Sequence, residues 1–91
     1  MVAAVVLIRA VPGDIPALAR RIAGLNGVAE VYSVSGEYDL VVIIRVPEYE
    51  QVATVVTEEI AKISGIERTY TLTAFRAYSK KDLEHAWDMF E

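Results

Sequence analysis

The stretch that decides the fold runs from Val28 to Val46 and reads VAEVYSVSGEYDLVVIIRV. From Val28 to Ser35 polar and apolar residues alternate, which is typical of a half-buried strand. Leu40 to Val46 is apolar on both faces, which is typical of a central strand covered on both sides. Turn-forming residues lie between them, from Gly36 to Asp39, so we predict an antiparallel hairpin.

The residues before the hairpin predict a strand followed by a helix. Val2 to Val11 reads VAAVVLIRAV and is nearly continuous in apolar residues, so it predicts another strand covered on both faces. Pro12 and Gly13 end that strand. Asp14 is an N-capping residue type, and apolar residues recur after it at helical spacing until Gly24 ends the helix.

The residues after the hairpin repeat that order. Residues 48–64 place apolar side chains at helical spacing and predict an amphipathic helix, which Gly65 ends. Ile66 to about Tyr78 predicts a fourth strand whose two faces differ in composition. One face carries Tyr70, Leu72 and Ala74, and the other carries Thr69, Thr71 and Thr73.

A last short helix is predicted from Ser79, since Asp82 stands three residues on in a capping-box-like pair. Its apolar stripe should dock, because exposed Trp and Phe side chains on a tail favour unwanted association. The stripe consists of Leu83, Ala86, Trp87 and Phe90. The sequence therefore predicts one domain over residues 1–78 and a C-terminal helical tail over residues 79–91.

The predicted order of elements is strand, helix, strand, strand, helix, strand. This order fits an α+β domain of the ferredoxin-like βαββαβ type, in which both helices cover one face of a four-stranded antiparallel sheet. The other face would be bare, although the first and third strands are apolar on both sides. We therefore expect a dimer joined sheet to sheet, as in dimeric α/β-barrels.

Composition restricts the class of protein. Of the 91 residues 54% are hydrophobic, which in so small a domain suggests further burial against another copy. The 13 acidic and 9 basic residues provide no field that attracts phosphate, which disfavours direct binding to nucleic acid. No cysteine is present, so disulfides and thiolate metal sites are excluded.

The sequence gives no sign of a membrane span or of export. The longest apolar run, Val2 to Ile8, is far shorter than the ~20 residues that span a bilayer. No basic segment precedes it, and no small-residue cleavage site follows it. We therefore expect a cytoplasmic protein without a membrane partner.

No motif for catalysis, nucleotide binding or metal binding is present. The chain contains no P-loop, no GxGxxG loop, no GxSxG elbow and no HExxH pair. His85 is the only histidine and lies in the predicted tail helix, where a surface role is far more common than a role as base or metal ligand. We predict no catalytic residue, no metal site and no cofactor, and therefore no enzyme.

The segment from Ser35 to Asp39 is the main candidate for a binding site. Its local interpretation is structural, since Gly36 supplies a positive φ and Asp39 can hydrogen-bond to turn amides. Its functional interpretation is that amides near Gly36 bind a carboxylate while Asp39 or Glu37 pairs with an ammonium group, as recognition of a free amino acid requires. Threonine hydroxyls of the fourth strand could add contacts.

These residues resemble a known family. Val28 to Leu40 fits the pattern V-x-E-V-Y-x-V-x-G-x-Y-D-L, and residues 65–69 read GIERT in the expected place. Together with the first strand, which ends in VPG, they are similar to the ligand-binding domain of the Lrp/AsnC transcriptional regulators, also called the RAM domain. The resemblance covers roughly Val2 to Phe75.

The resemblance implies sheet-to-sheet dimers, assembly of dimers into rings such as octamers, and small effectors, usually amino acids, bound between dimers. In the family, the G-x-Y-D hairpin and hydroxyls of the last strand line the effector cleft. On this chain the matching positions are Gly36, Tyr38, Asp39, Thr69 and Thr71, with Ser35 and Glu37 beside them as weaker candidates.

Two features depart from the family's full-length pattern. Full-length members carry an N-terminal helix-turn-helix domain that binds DNA, whereas the predicted first strand begins at residue 2, so we expect a stand-alone member. Such a member could co-assemble with a full-length Lrp/AsnC homologue through the shared dimer surface. The second departure is the predicted tail with Trp87 and Phe90.

Three functions are open on the sequence alone. The leading hypothesis is a non-catalytic module that binds an amino acid or related effector and forms oligomers. A small dimeric α+β-barrel enzyme, such as a monooxygenase or an isomerase, is an alternative by analogy of fold. The third function is that of a purely architectural oligomer that binds no small molecule.

Overall fold

The structure is a computed structural model that describes residues 1–78 and Lys80. Its strands are β1 (Val2–Ala10), β2 (Val28–Ser33), β3 (Leu40–Val46) and β4 (Ile66–Thr73). They form one antiparallel sheet in the order β2-β3-β1-β4. Helix α1 (Ile15–Ala23) connects β1 to β2, and a helical segment that begins with α2 (Tyr49–Thr54) connects β3 to β4. The predicted ferredoxin-like βαββαβ order is confirmed.

Helix α1 begins and ends where its sequence predicts. The Asp14 carboxylate accepts a hydrogen bond from the amide of Ala17 at 3.1 Å, which satisfies one of the amides that a helix leaves unpaired at its start. Arg20 and Arg21 occupy the last turn, where the helix dipole favours cations. Leu18 and Ile22 are the buried residues of this helix.

The second helical segment is less regular than its sequence predicts. The amide of Glu48 donates to Gln51 Oε1 at 2.9 Å and starts α2. The chain then widens into a π-helical segment over Val55–Glu59 and tightens into a 3₁₀ turn over Ile60–Lys62. The predicted amphipathic helix over residues 48–64 is present, but it is α-helical only over Tyr49–Thr54, and the helical backbone ends at Lys62.

The core lies between the helices and one face of the sheet. Its sheet side consists of alternate residues of the two central strands, and its helix side comes from both helical segments. The largest fully buried side chains are Val6, Ile8, Ile22, Leu40, Val42, Ile44 and Ile60. This arrangement confirms that both predicted helices cover the same face.

The opposite face of the sheet, called the open face below, carries the other residues of each strand. Its register places Val5 opposite Ile43 and Leu7 opposite Val41, and all four are half-buried. Tyr32, Tyr70 and Leu72 extend this surface and are 49%, 53% and 45% exposed. The face is apolar, as predicted, and no helix of the described residues covers it.

Two strands end earlier than the sequence predicts, for reasons that lie in their partners. Strand β2 ends at Ser33, and beyond it the amide of Val34 donates to the Asp39 carbonyl at 3.0 Å and closes the turn. Strand β4 ends at Thr73, and the amide of Ala74 donates to Ala3 at 3.0 Å. Strand β4 pairs with β1 alone in this sheet, and β1 begins at Val2, one residue before Ala3. The pairing therefore has almost no partner residues left beyond Ala74.

Apart from Lys80, the predicted C-terminal helix over residues 79–91, with Trp87 and Phe90, lies outside the described residues. The division of the chain at residue 78 stays a prediction. Sheet-to-sheet pairing of two copies also stays a prediction, which the exposed apolar character of the open face favours.

Candidate functional site

The hairpin between β2 and β3 closes through residues 34–39. Gly36 adopts a φ of +123°, a conformation that side chains rarely adopt, and a Cβ built on it would meet no atom within 4 Å. Glycine is therefore required here by the backbone and not by crowding. Ser35, Gly36 and Glu37 are exposed, and Tyr38 and Asp39 are half-buried.

Asp39 connects the hairpin to β1 by two hydrogen bonds. Its amide donates to the carbonyl of Ile8 at 2.8 Å, and its Oδ2 accepts from the amide of Ala10 at 2.8 Å. The ladder between β1 and β3 stops at the pair of Ile8 and Leu40, so the carboxylate replaces the next ladder partner. The prediction that Asp39 bonds to turn amides is therefore wrong, because its carboxylate accepts from an amide of β1 that lies 29 residues away in the chain. Its other oxygen, Oδ1, has no hydrogen-bond partner among the described residues.

Arg9 makes a second connection between β1 and the hairpin. Its Nε and Nη2 both donate to the carbonyl oxygen of Glu37, at 3.1 Å and 2.9 Å. Because both nitrogens belong to one planar group and donate to the same oxygen, the guanidinium is held beside the turn. Sequence reasoning missed Arg9, although one signal was available: it is the only charged residue in VAAVVLIRAV.

Thr69 and Thr71 lie two strands away from the hairpin. On β4 they stand opposite Ile8 and Val6 of β1, so β1 separates them from β3. They share the helix-covered side of the sheet with those two residues, where Thr69 is exposed and Thr71 is half-buried. The predicted alternation of threonines with Tyr70 and Leu72 is confirmed by this register.

The structure thus brings Gly36, Tyr38 and Asp39 together and leaves Thr69 and Thr71 apart from them within one chain. Cavities of about 260, 360 and 130 Å³ lie elsewhere and are lined by none of these five residues. A cleft that contains both groups would need residues of a second chain. The predicted effector site therefore stays a prediction.

The charged residues of the open face lie at its two ends. At one end Arg45 lies 3.8 Å from Glu30, and Glu30 also accepts a hydrogen bond from the hydroxyl of Tyr32. That hydrogen bond, followed by the charge of Glu30, raises the pKa of Tyr32. At the other end Arg9 stands directly opposite Arg68 of β4.

The described residues offer no metal centre and no membrane span. Residues 1–78 and Lys80 include no group of three or more His, Asp or Glu side chains placed to hold a metal ion. Within the same residues, no helix has both the length and the apolar character that crossing a bilayer requires.

Comparison with protein families decides which fold family this hairpin and sheet represent. The family model of the Lrp/AsnC ligand-binding domain matches residues 3–83. The chain belongs to the Lrp/AsnC ligand-binding domain family. Apart from Val2, the match includes every strand and helix described above, together with the G-x-Y-D hairpin.

Relatives of this Lrp/AsnC domain include both short and long chains. The crystal structure of TTHA0845 from Thermus thermophilus is 50% identical, with a TM-score of 0.83, and the match covers 88% of this chain and 100% of that one. An uncharacterised HTH-type transcriptional regulator from Pyrococcus furiosus is 36% identical over 58 residues, which are 64% of this chain. The match spans only 39% of that regulator's length.

A further solved structure shares this fold at low identity. The transcriptional regulator NMB0573 from Neisseria meningitidis, solved as a complex with L-Met, is 12% identical with a TM-score of 0.71. The match covers 86% of this chain and 52% of that one. At this identity the likeness concerns the fold.

Proposed function

We propose that this Lrp/AsnC domain is a non-catalytic module that binds an amino acid and forms oligomers. The observation that carries the proposal is the G-x-Y-D hairpin, which two independent connections, from Asp39 to Ala10 and from Arg9 to Glu37, hold rigidly against β1. A rigid turn presents its amides and the remaining Asp39 oxygen in a fixed geometry, which lowers the entropic cost of binding.

The family and one relative support the amino acid as ligand. The chain belongs to a family of ligand-binding domains, and a regulator of the same fold was solved with L-Met. In our proposal Gly36, Tyr38 and Asp39 of one chain meet Thr69 and Thr71 of another, so that the effector lies between subunits. Binding at such a junction couples the effector to the assembly state, because a ligand that contacts two subunits favours the assembled form.

Oligomers in this proposal begin with a dimer through the open face and extend to a ring of dimers. In this proposal a full-length Lrp/AsnC regulator that presents the same open face can serve as a partner. The protein acts in the cytoplasm. Among the described residues the small-enzyme function has no specific feature in its favour, and the purely architectural function has only the apolar open face, which our proposal also uses.

Native mass spectrometry and calorimetry with the standard L-amino acids test the proposal. We expect one amino acid to bind and to change the distribution of oligomers. Asp39→Asn keeps an oxygen that accepts from Ala10 and removes the charge that pairs with an ammonium group. It should weaken binding by roughly 10- to 100-fold with an unchanged melting temperature.

The matched control is Thr73→Val, which alters β4 on the same face as Thr69 and Thr71 but outside the proposed site. It should leave the affinity unchanged, whereas Thr71→Val should weaken it. If no amino acid binds to a well-folded oligomer, the sensor function is wrong and the architectural one replaces it. Turnover of a bound compound would instead support the enzyme.

A further inference from the structure

A notch of about 130 Å³ lies at the end of the sheet opposite the hairpin, where β1 begins and β3 ends. It is lined by Met1, Val2, Ala3, Tyr49 and residues 74–77. Among these described residues Arg76 alone carries a charged side chain, and the others are apolar or aromatic. An apolar cavity of about 150 Å³ accommodates a benzene ring, so the notch has roughly the size of one aromatic side chain.

The notch joins the core to exposed apolar side chains. Val2 is half-buried and packs against the hydrophobic core. Phe75, Met1 and Tyr49 are 93%, 90% and 55% exposed. Large apolar side chains that are exposed side by side indicate a surface that another group covers.

The residues that follow the notch in the chain have side chains that complement it. Residues 81–91 lie outside the described residues, and their sequence reads KDLEHAWDMFE. Leu83, Ala86, Trp87 and Phe90 are spaced by three or four residues, so a helix would place them in one apolar stripe. The aromatic rings of this stripe match the size and the apolar lining of the notch.

The charges of the segment complement the notch as well. Between residues 82 and 91 the acidic residues are Asp82, Glu84, Asp88 and Glu91, and none of these ten residues is Lys or Arg. The charged side chain that lines the notch is the exposed guanidinium of Arg76. A carboxylate beside the apolar stripe can therefore pair with Arg76 while the apolar side chains fill the notch.

The segment is long enough to reach the notch of its own chain. The lining residues continue to Ala77, and Trp87 follows ten residues later. Ten residues span about 15 Å as a helix and about 33 Å when extended. A tethered segment also meets its site at a high effective concentration, which favours contact within one chain over contact with a second copy.

We propose that residues 81–91 fold back on their own chain and cover the notch with the apolar stripe. Trp87 lies at the centre of this contact, and the acidic residues of the segment lie beside Arg76. The contact adds apolar burial to a domain that is too small to bury most of its own surface. It is independent of the amino-acid-binding function proposed above, because the notch and the hairpin lie at opposite ends of the sheet.

Trp87 is the only tryptophan of the chain, so its fluorescence reports directly on the segment. Docking shields the indole from water, which moves its emission to a shorter wavelength than in the urea-unfolded chain and reduces quenching by acrylamide. Phe75→Ser removes an exposed ring from the notch, and Arg76→Glu reverses its charge. The matched controls are Val11→Ser, beyond the other end of β1, and Arg20→Glu, on the exposed surface of α1.

We expect emission at short wavelength from the unmodified chain and from both controls. Phe75→Ser should move the emission toward that of the unfolded chain and increase acrylamide quenching several-fold, and Arg76→Glu should act in the same direction with a smaller shift. Circular dichroism should show that every variant is folded. If Trp87 of the folded, unmodified chain emits as in the unfolded chain, the proposal is wrong. It is also wrong if Trp87 is shielded in both notch variants, because another surface then covers the indole.

A mixing experiment tests whether the segment docks on its own chain. Phe75→Ser supplies the tryptophan and a damaged notch, and Trp87→Ser supplies an intact notch without tryptophan. The two variants are unfolded, mixed and refolded together. Docking within one chain predicts that the emission keeps the longer wavelength of Phe75→Ser. A return to the shorter wavelength would show that the segment docks on a second copy and would overturn the assignment to its own chain.

Discussion

The helix-covered face and the open face of the sheet are built from alternating residues of the same strands, yet their burial differs. On β3, Val42 and Ile44 are fully buried beneath the helices, whereas Val41 and Ile43 between them are only half-buried. Both sets are aliphatic, so composition does not distinguish them. The comparison teaches that the face on which an apolar residue of this sheet lies, and not its type, decides whether it is buried within one chain.

Among the substitutions that distinguish the two faces, Val42→Lys should have the largest effect, which is on the stability of the fold. This substitution places an unpaired charge in the sealed core, which costs several kcal/mol out of a total stability of about 5–15 kcal/mol. We expect the chain to lose its cooperative unfolding transition, as followed by circular dichroism. A folded Val42→Lys variant with a normal melting temperature would contradict the assignment of this face as the core.

The neighbouring substitution Ile43→Lys should act on association and spare the fold. Ile43 lies on the open face, so in a single chain the lysine can reach water. In a sheet-to-sheet dimer it would bury a charge in each copy, and we expect monomers in analytical ultracentrifugation. If the oligomer has its original size, two copies do not meet through this face.

A smaller effect should come from Gly27→Ala, which tests how closely the helical segment approaches the sheet. Gly27 has a φ of +90°, and a Cβ built on it would lie 2.8 Å from Val55 Cγ2 and 2.9 Å from Val46 Cγ1. Overpacking and backbone strain together should lower the free energy of unfolding by about 2–4 kcal/mol, measured by urea titration.

Gly65→Ala is the matched control for that prediction. Gly65 has a similar φ of +97°, and its Cβ would meet no atom within 4 Å. It should show only the strain of the backbone, about 1–2 kcal/mol. Equal losses in the two variants would show that close packing at Gly27 contributes nothing.

The smallest effect concerns the polar end of the open face and is spectroscopic. The hydrogen bond from Tyr32 to Glu30 favours the neutral phenol, so the pKa of Tyr32 is raised above 10.0. The stabilisation by this bond is present below pH 10 and is lost as the pH rises through the raised pKa. The difference in phenolate absorbance between the chain and Tyr32→Phe should show the higher pKa, and Glu30→Gln should return it toward 10.0.

The sequence predicted the candidate site only in part. The turn at Gly36 follows from residue type, because the positive φ depends only on the backbone of the glycine itself. The contact of Asp39 with Ala10 joins residues 29 positions apart, and no local pattern indicates it. For the same reason the sequence did not reveal that Arg9 donates hydrogen bonds to the carbonyl of Glu37 or that it lies opposite Arg68.

The sequence by itself determined the number, order and type of the elements and which residues share a face. Hydrophobic periodicity, the Asp14 cap and the glycines that end helices are local signals, and each residue carries them wherever the chain folds. Only the tertiary structure decided where strands end, where the second helix widens at Val55, and that Arg9 lies opposite Arg68. Those features depend on what a distant strand places opposite each residue, and strand register is fixed only when the whole sheet assembles.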